Sequence, residues 1–250
     1  MTKENKKVAL VTGANKSIGL EVARQLLQNN VFVYLGSRNL ESGQKAVEEL
    51  KSAGFKSVEA IAIDVDNDES VQKARKIIGD QSNVLDILVN NAGINGGMPQ
   101  SALSATMQQF NTVYETNVFG VVRVTQAFID LMQKSDEPRI VNVSSSQGSI
   151  TLSCDPTYKY YNFKGAVYHS SKAALNMYTV ILAYELKDTA FKVNAVSPGF
   201  TKTDFNAHRG TGTVEDAGKR IVKYALLEQD GPTGKLFCEE TNPVTGEIPW

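Results

Sequence analysis

The chain has 250 residues, of which 42% are hydrophobic and 21% are charged. That length and composition are typical of a globular protein with one large core, so we expect residues 1–250 to form a single domain. The 26 lysine and arginine residues nearly balance the 27 aspartate and glutamate residues, which gives a net charge of -1. This balance excludes an electrostatic reason to bind nucleic acid or an anionic membrane, and a small molecule is the expected partner.

Apolar patterning and cysteine usage both favour a cytoplasmic protein. The first apolar run, at 8–11, is too short for a signal-peptide core, and no apolar run approaches the length of a membrane span. Cys154 and Cys238 lie far apart, without a metal-binding spacing. They predict unpaired thiols in a reducing compartment, with neither a disulfide nor a metal site.

Short β-rich apolar runs alternate with amphipathic stretches along the chain. This alternation predicts repeated βαβ units, and near-continuous apolar strands predict a parallel sheet buried on both faces. The expected fold class is α/β, a doubly wound parallel sheet with helices on both faces and ligands beyond the C-terminal ends of the strands. The predicted strands are 8–11, 31–35, 58–63, 87–89, 140–143, 192–196 and 235–238. The predicted helices are 18–28, 40–53, 70–78, 108–132, 168–186 and 214–227, the last with Thr213 as its N-cap.

A turn of small residues at 12–19 follows the first predicted strand and opens the first helix. Backbone amides and the helix dipole at such a turn can receive a pyrophosphate, although a plain tight turn has the same composition. Arg38 follows the second strand, where an acidic residue would suit a ribose hydroxyl and an arginine suits a 2'-phosphate. We therefore favour NADPH over NADH. Lys16 adds a second cation, and either side chain could instead be a solvated surface charge.

Tyr168 and Lys172 lie four residues apart at the start of a predicted helix. Residues at that spacing share one helix face, so the lysine ammonium can lie beneath the tyrosine ring and favour the ionised phenol. The pair predicts proton-transfer chemistry. The alternative is an ordinary amphipathic helix surface, because the spacing also arises by chance.

The order of these motifs resembles the short-chain dehydrogenase/reductase family in its single-domain form, over nearly the whole chain. Asn90-Asn91-Ala92-Gly93 after the fourth strand and Pro198-Gly199 after the sixth are similar to further family motifs. Ser17 stands where the family usually has a glycine, and a serine there can cap the helix or bond a phosphate oxygen. The resemblance implies a Rossmann-type fold with NADPH as cofactor. It further implies that Asp64 bonds the adenine amine and that the loop beginning at Pro198-Gly199 cradles the nicotinamide carboxamide. The implied cofactor-binding residues are Gly13, Asn15, Lys16, Ser17, Ile18, Gly19, Arg38, Asp64, Val65, Asn91, Tyr168, Lys172, Pro198, Gly199, Thr201 and Thr203.

The resemblance also implies a catalytic set of Asn117, Ser145, Tyr168 and Lys172. Asn117 would help hold a water in a proton relay with Lys172, although it could also be a polar residue that kinks an internal helix. Ser145 is selected by its spacing ahead of Gly148, whereas we expect Ser144 and Ser146 to bond the backbone at the strand end. In the implied mechanism, Ser145 bonds the substrate carbonyl oxygen, Tyr168 protonates it, and Lys172 lowers the pKa of Tyr168 and binds the nicotinamide ribose.

Two departures from the family pattern concern the substrate. The stretch between Ser145 and Tyr168 is about ten residues longer than is usual in the family, which indicates an insertion near 155–165. Its aromatic residues could form a pocket wall or pack onto their own core. The usual long lid after Pro198-Gly199 is reduced to 204–212. An insertion, Asn15-Lys16, Arg38 and a terminal Trp250 together resemble the monomeric-type carbonyl reductases of the family.

The sequence therefore predicts NADPH-dependent reduction of a ketone or aldehyde, with Tyr168 as proton donor. Two alternatives remain: NAD(P)-linked alcohol oxidation at the same site, and a dinucleotide-binding sensor without turnover. Arg38 disfavours NAD, and a sensor would be expected to have lost part of the catalytic set. The expected partner is a small carbonyl compound, and the chain is expected to be a monomer or a small homo-oligomer.

Overall fold

The computed structural model describes residues 6–250 and places them around one eight-stranded sheet with strand order β3-β2-β1-β4-β5-β6-β7-β8. Strands β1 to β7 pair in parallel, and β8 pairs with β7 in the antiparallel direction. The bounds are β1 Val8–Val11, β2 Phe32–Ser37, β3 Val58–Ala62, β4 Ile87–Asn90, β5 Arg139–Val143, β6 Lys192–Val196, β7 Leu236–Phe237 and β8 Glu247–Ile248. The predicted α/β doubly wound fold is confirmed.

Helices cover both faces of the sheet, because alternate strand residues point to opposite sides. Ala9 and Val11 of β1 belong to a core shared with α1, α2 and α8, whereas Val8 and Leu10 belong to a second core shared with α3, α5 and α7. All four are buried. The helices are α1 Ser17–Gln28, α2 Leu40–Ser52, α3 Asp68–Gln81, α4 Met107–Tyr114, α5 Gly120–Met132, α6 Ile150–Cys154, α7 Ala166–Glu185 and α8 Val214–Ala225.

Local capping explains where several helices begin. Asn39 accepts a hydrogen bond from the Ser42 amide at the start of α2, and Thr213 accepts one from the Asp216 amide at the start of α8. The predicted N-cap Thr213 is therefore confirmed. Among residues 6–250, no helix is long and apolar enough to cross a membrane, and no group of three acidic, histidine or cysteine side chains is arranged to hold a metal ion.

Three elements differ from the predicted pattern. The predicted helix 108–132 is divided by a π-helical segment, Glu115–Phe119, between α4 and α5. The short helix α6, capped by Ser149, and the two-residue strand β8 were not predicted. The additional strand places Ile248 in a small core at the sheet edge, beside Ala195, Leu236 and Cys238 and against Leu152 and Trp250.

Candidate active site

The four predicted catalytic residues meet beyond the C-terminal end of β5. Ser145 follows that strand, Tyr168 and Lys172 lie on α7, and Asn117 lies in the π-helical segment. The Lys172 Nζ donates a 2.9 Å hydrogen bond to the carbonyl oxygen of Val143. It lies 5.8 Å from the centroid of the Tyr168 ring. A tyrosine hydroxyl, a serine hydroxyl and an ammonium group are thereby brought to one end of the sheet.

Burial controls the protonation of the Tyr168 and Lys172 side chains. It raises the pKa of Tyr168 to about 12, an effect opposed by the hydrogen bond with Ser145. It lowers the pKa of Lys172 to about 8. The spacing of the pair predicted a lowered tyrosine pKa; in this arrangement that is wrong, because desolvation of the phenol dominates and the ammonium is directed at the Val143 carbonyl.

Asn117 is fully buried and clamps the loop after β4 to α7. Its Oδ1 accepts a 2.8 Å hydrogen bond from the Ile94 amide, and its Nδ2 donates to the Ile94 carbonyl at 2.9 Å and to Ser171 Oγ at 3.1 Å. A Cβ added to Gly93 would lie 3.3 Å from Asn117 Oδ1 and 3.7 Å from Lys172 Nζ. The two side chains therefore face the same space over Gly93, as a shared proton relay would require. The helix also widens to a π-helix here, a distortion that often occurs at functional sites.

The three serines after β5 have separate partners. Ser145 Oγ accepts a hydrogen bond from the Gln147 amide at 3.2 Å, and its side chain is near enough to Tyr168 to oppose the rise in the pKa of that phenol. Ser144 donates to Asn176 Oδ1 at 2.6 Å, and Ser146 accepts from the Tyr158 hydroxyl at 2.8 Å. The prediction that Ser144 and Ser146 bond the backbone was wrong, because side chains occupy their hydroxyls: buried Asn176 of α7 bonds Ser144, and partly buried Tyr158 bonds Ser146. Only Ser145 of the three serines faces Tyr168.

The glycine turn after β1 adopts the backbone that the family motif requires. Ser17 has a φ of 54°, in the left-handed region that favours glycine. The N-cap of α1 is Lys16, which makes no side-chain capping bond, so Ser17 does not cap the helix. Of the two predicted roles for Ser17, contact with a phosphate oxygen remains a prediction. Asn15 and Ile18 flank this position, and both are partly exposed.

Asn91 holds the glycine turn from the neighbouring strand. Its Nδ2 donates to the carbonyl oxygens of Thr12 at 2.9 Å and Gly13 at 3.1 Å. A Cβ added to Gly19 would lie only 2.5 Å from Asn91 Nδ2, so glycine is needed for α1 to approach this closely. Asn90 donates instead to Thr125 and Asn142. Asn91 therefore lines the turn, while Asn90 ties β4 to its neighbours.

The residues predicted for the adenosine end lie beside β2 and β3. Arg38 is exposed at the end of β2 and makes no ion pair with any residue in 6–250. Asp64 follows β3, and its Oδ1 accepts a 3.2 Å hydrogen bond from the amide of Asp66. Asp66, a residue that the motifs did not mark, accepts a 2.9 Å bond from Thr116 beside Asn117. Val65, between the two aspartates, is buried.

The loop after β6 carries Pro198, Gly199, Thr201 and Thr203. Gly199 has a φ of 85°, and both threonines are buried. The carbonyl of Pro198 accepts a 2.7 Å hydrogen bond from Arg220 of α8. The structure thus places the predicted nicotinamide loop at the same end of the sheet as Tyr168.

The shortened lid, 204–212, lies over Tyr168. The Phe205 ring packs edge-on against Tyr168 with centroids 5.6 Å apart. Asn95 donates a hydrogen bond to the Phe205 carbonyl, and Lys16 forms a 3.1 Å ion pair with Asp204. The lid therefore reaches from the glycine turn to α7, the helix that carries Tyr168.

The segment 155–165 divides between packing and exposure. Tyr158 packs edge-on against Tyr160 at 5.6 Å, and Tyr160 packs against Phe200 at 5.8 Å. Phe163 is 43% exposed. Its carbonyl is 3.1 Å from His169 Nε2, a ring nitrogen of the residue next to Tyr168. Tyr158 and Tyr160 thus pack onto the protein, while the Phe163 side chain of the same segment remains accessible near Tyr168.

A doubly wound sheet carrying this constellation at its C-terminal edge defines an oxidoreductase of the Rossmann type. The model of the short chain dehydrogenase family matches residues 7–213, and the chain belongs to that family. A short-chain dehydrogenase of Penicillium roqueforti, anuI, is 35% identical over 258 residues, covering 100% of both chains. Salutaridine reductase from Papaver somniferum has a solved structure with a TM-score of 0.81 and 32% identity, covering 92% of this chain and 99% of that one. The NADPH-bound carbonyl reductase from chicken fatty liver gives a TM-score of 0.82 at 27% identity, covering 98% of this chain and 99% of that one.

Proposed function

We propose that the protein reduces a ketone or aldehyde to the alcohol with NADPH, and that Tyr168 is the proton donor. The observation that carries this proposal is the placement of Tyr168 beside buried Lys172 and Asn117 at the end of β5, where the Ser145 side chain is close enough to act on the Tyr168 pKa. A carbonyl oxygen that contacts both hydroxyls would be polarised by one and protonated by the other. The reductases among its relatives support the same direction of reaction.

The residues present fit a phosphorylated dinucleotide. The first turn of α1 contains no acidic residue, so its unpaired amides and dipole are free to attract a pyrophosphate. The close packing of Gly19 on Asn91 keeps the turn compact. Arg38 offers an exposed guanidinium that makes no ion pair with any residue in 6–250, which suits a 2'-phosphate. NADPH is bound in the chicken carbonyl reductase of the same fold.

The side chains divide the chemical work. NADPH would supply the hydride to the carbonyl carbon. Tyr168, whose raised pKa keeps it protonated at neutral pH, would donate its proton to the developing alkoxide while Ser145 holds that oxygen. Lys172 and Asn117 would order the groups that return a proton to Tyr168. Acid catalysis of this kind contributes about 10² to 10⁴ in rate, and the remainder depends on positioning.

The two alternatives have weaker support. Oxidation of an alcohol with NAD would favour an acidic residue at the position of Arg38. A sensor without turnover would have no need for the complete set of Asn117, Ser145, Tyr168 and Lys172. We also propose that the protein acts in the cytoplasm as a single-domain monomer or small homo-oligomer.

The test is a panel of aliphatic, aromatic and dicarbonyl compounds followed by the absorbance of NADPH, with Tyr168→Phe as the diagnostic variant. We expect turnover with NADPH to exceed turnover with NADH, and the variant to lose at least about a hundredfold in kcat while still binding NADPH. The variant keeps the ring that packs on Phe205, so its fold should persist. Turnover by Tyr168→Phe at the wild-type rate would exclude the mechanism.

A further inference from the structure

Glu240 joins two segments that border the active site. It lies after β7 in the C-terminal part of the chain, with its side chain mostly buried. One carboxylate oxygen accepts hydrogen bonds from the Tyr160 hydroxyl at 2.8 Å and from Lys159 Nζ at 3.1 Å. The other accepts from the backbone amide of Phe200 at 3.0 Å. A single carboxylate therefore connects the segment 155–165 to the loop that follows β6.

On the loop side, Glu240 acts at the backbone rather than at a side chain. Gly199 has a φ of 85°, and a Cβ added there would lie 3.1 Å from Glu240 Oε2. The preceding carbonyl, that of Pro198, accepts a hydrogen bond from Arg220 at 2.7 Å. Glu240 and Arg220 thus hold consecutive peptide groups of the loop, one through an amide and one through a carbonyl.

On the other side, the bond to Tyr160 continues towards the catalytic serine. Tyr160 packs on Phe200 and on Tyr158, and the Tyr158 hydroxyl donates to Ser146 at 2.8 Å. Ser146 is the residue after Ser145. A continuous series of contacts therefore runs from the neighbour of Ser145, through the two tyrosines, to Glu240 and the loop after β6.

Glu240 makes these contacts as a carboxylate. Burial by itself would raise its pKa, but the hydrogen bonds from Tyr160, Lys159 and the Phe200 amide together lower it. Charge-assisted hydrogen bonds are shorter and stronger than neutral ones. The carboxylate can accept at both oxygens, which a neutral amide cannot do.

We infer that Glu240 is a positioning residue that sets the loop 198–203 against the segment 155–165, and thereby fixes where a carbonyl substrate lies relative to the nicotinamide. The inference deepens the proposed function and rests on it, because the loop matters as a nicotinamide contact only if the chain binds NADPH. The geometry of the contact itself does not depend on the cofactor. It can therefore be tested with and without NADPH.

The test compares Glu240→Gln with Glu239→Gln. Glutamine preserves the shape of Glu240 but is neutral and has one acceptor oxygen, so it accepts more weakly from the Phe200 amide and leaves the Lys159 ammonium facing an NH2 group that cannot accept. Glu239 is the adjacent carboxylate and pairs with Lys223 on the surface at 2.6 Å, away from the loop. Both variants remove one negative charge from the same part of the chain. Tyr160→Phe is a third variant that removes only the bond from the Tyr160 hydroxyl to Glu240 and keeps the contact with Lys159.

We expect hydrogen exchange at the Phe200 amide, measured by NMR without cofactor, to accelerate about tenfold or more in Glu240→Gln and to stay at the wild-type rate in Glu239→Gln. With NADPH and a carbonyl substrate, Glu240→Gln should lower kcat about tenfold. Tyr160→Phe should raise KM for the carbonyl compound while leaving Phe200 protected. A merely structural role would lower thermal stability without this separation of kcat from KM.

Unchanged Phe200 exchange and unchanged kcat in Glu240→Gln would overturn the inference. Equal effects of Glu240→Gln and Glu239→Gln would also overturn it, because charge alone would then explain the result. A wild-type protein that reduces no carbonyl compound, yet shows the exchange difference, would exclude the proposed function and retain Glu240 as the tie between the two segments. The two failures are therefore distinguishable.

Discussion

The Gln100 side chain holds the start of α7, the helix that carries Tyr168 and Lys172. It is 3% exposed, and its Oε1 accepts a 2.8 Å hydrogen bond from the backbone amide of Tyr168. Its Nε2 donates to Gly97 at 2.7 Å and to Asn95. The N-cap of α7 is Gly165, which has no side chain to accept from that helix. Gln100 therefore caps α7 from a separate loop and fixes the position of the Tyr168 backbone.

We predict that Gln100→Ala lowers kcat for carbonyl reduction about 10- to 100-fold, because the tyrosine would shift relative to Ser145. The dissociation constant for NADPH should change by less than about twofold, since Gln100 does not contact the glycine turn. Steady-state kinetics and fluorescence titration of NADPH measure the two effects. Ser101→Ala, at the exposed neighbouring residue, is the control. A kcat at the wild-type level in Gln100→Ala would disprove this role.

Residues that belong to a motif could be predicted from sequence, whereas residues that act through one contact could not. Tyr168 and Lys172 were predicted from their spacing on one helix face, and Ser145 from the spacing that the family motif has ahead of its glycine. Gln100 and Glu240 lie in irregular segments, where no periodicity indicates which partner a polar side chain meets. Their roles depend on tertiary distances alone. The sign of the Tyr168 pKa shift likewise required burial, which a pair spacing does not contain.

At the scale of elements, the apolar periodicity predicted the parallel strands and the long helices, because burial on both faces produces that pattern. It could not predict the π-helical segment Glu115–Phe119, since the apolar pattern continues through it from α4 to α5. Nor could it predict β8, which has two residues and exists only because it pairs with β7. Short elements of this kind are determined by their neighbours.

The lid 204–212 is fastened to the glycine turn by an ion pair that the cofactor would disturb. Asp204 pairs with Lys16 at 3.1 Å and lies 2.9 Å from His208 Nε2, and Lys16 is the main cause that lowers the pKa of this carboxyl. Lys16 is also one of the two cations proposed for the 2'-phosphate. The phosphate and the Asp204 carboxylate would therefore compete for one ammonium group, and like charges would repel.

We predict that Asp204→Asn tightens NADPH binding about two- to fivefold, the small effect expected of an exposed pair. NADH lacks the 2'-phosphate, so its affinity should not change, which makes it an internal control. The measurement is fluorescence titration of both cofactors at low and high salt, and the gain should shrink as salt screens the charges. Weaker binding of NADPH, or an equal gain for NADH, would contradict competition for Lys16.

At the scale of the whole molecule, the site lies where the strand order reverses. β1 is flanked by β2 on one side and β4 on the other, so the helices that follow β1 and β4 lie on opposite faces of the sheet at this point. The glycine turn and Asn91 meet there. The same geometry draws Lys172 into the interior beside β5, where it is 5% exposed. The fold thus buries an ammonium group where we expect an apolar side chain to give a more stable protein.

The pH dependence of the free energy of unfolding should reveal how much the buried Lys172 ammonium destabilises the fold. Lys172 has a pKa of about 8 in the folded protein against an ordinary 10.5. Between those values the unfolded chain binds more protons, so the Lys172 contribution to stability rises with pH; below about 8 the full cost, about 3 kcal/mol, is present. The opposite effect of Tyr168, whose pKa is raised to about 12, begins only near its ordinary value of 10. The informative window is therefore pH 7 to 9.5.

We predict that Lys172→Met is more stable than the wild type at pH 7. Removing the buried ammonium should raise the free energy of unfolding by up to about 3 kcal/mol, and losing the hydrogen bond to Val143 should lower it by about 1 kcal/mol. The difference should narrow steadily towards pH 9.5, because the wild-type lysine becomes neutral while the variant has nothing to titrate. Denaturant unfolding without cofactor at several pH values measures it. Lys219→Met, at an exposed lysine paired with Glu215, should show no such narrowing. A stability difference that is constant or grows with pH would contradict this prediction, because it would mean that burying the charged Lys172 side chain does not lower the free energy of unfolding.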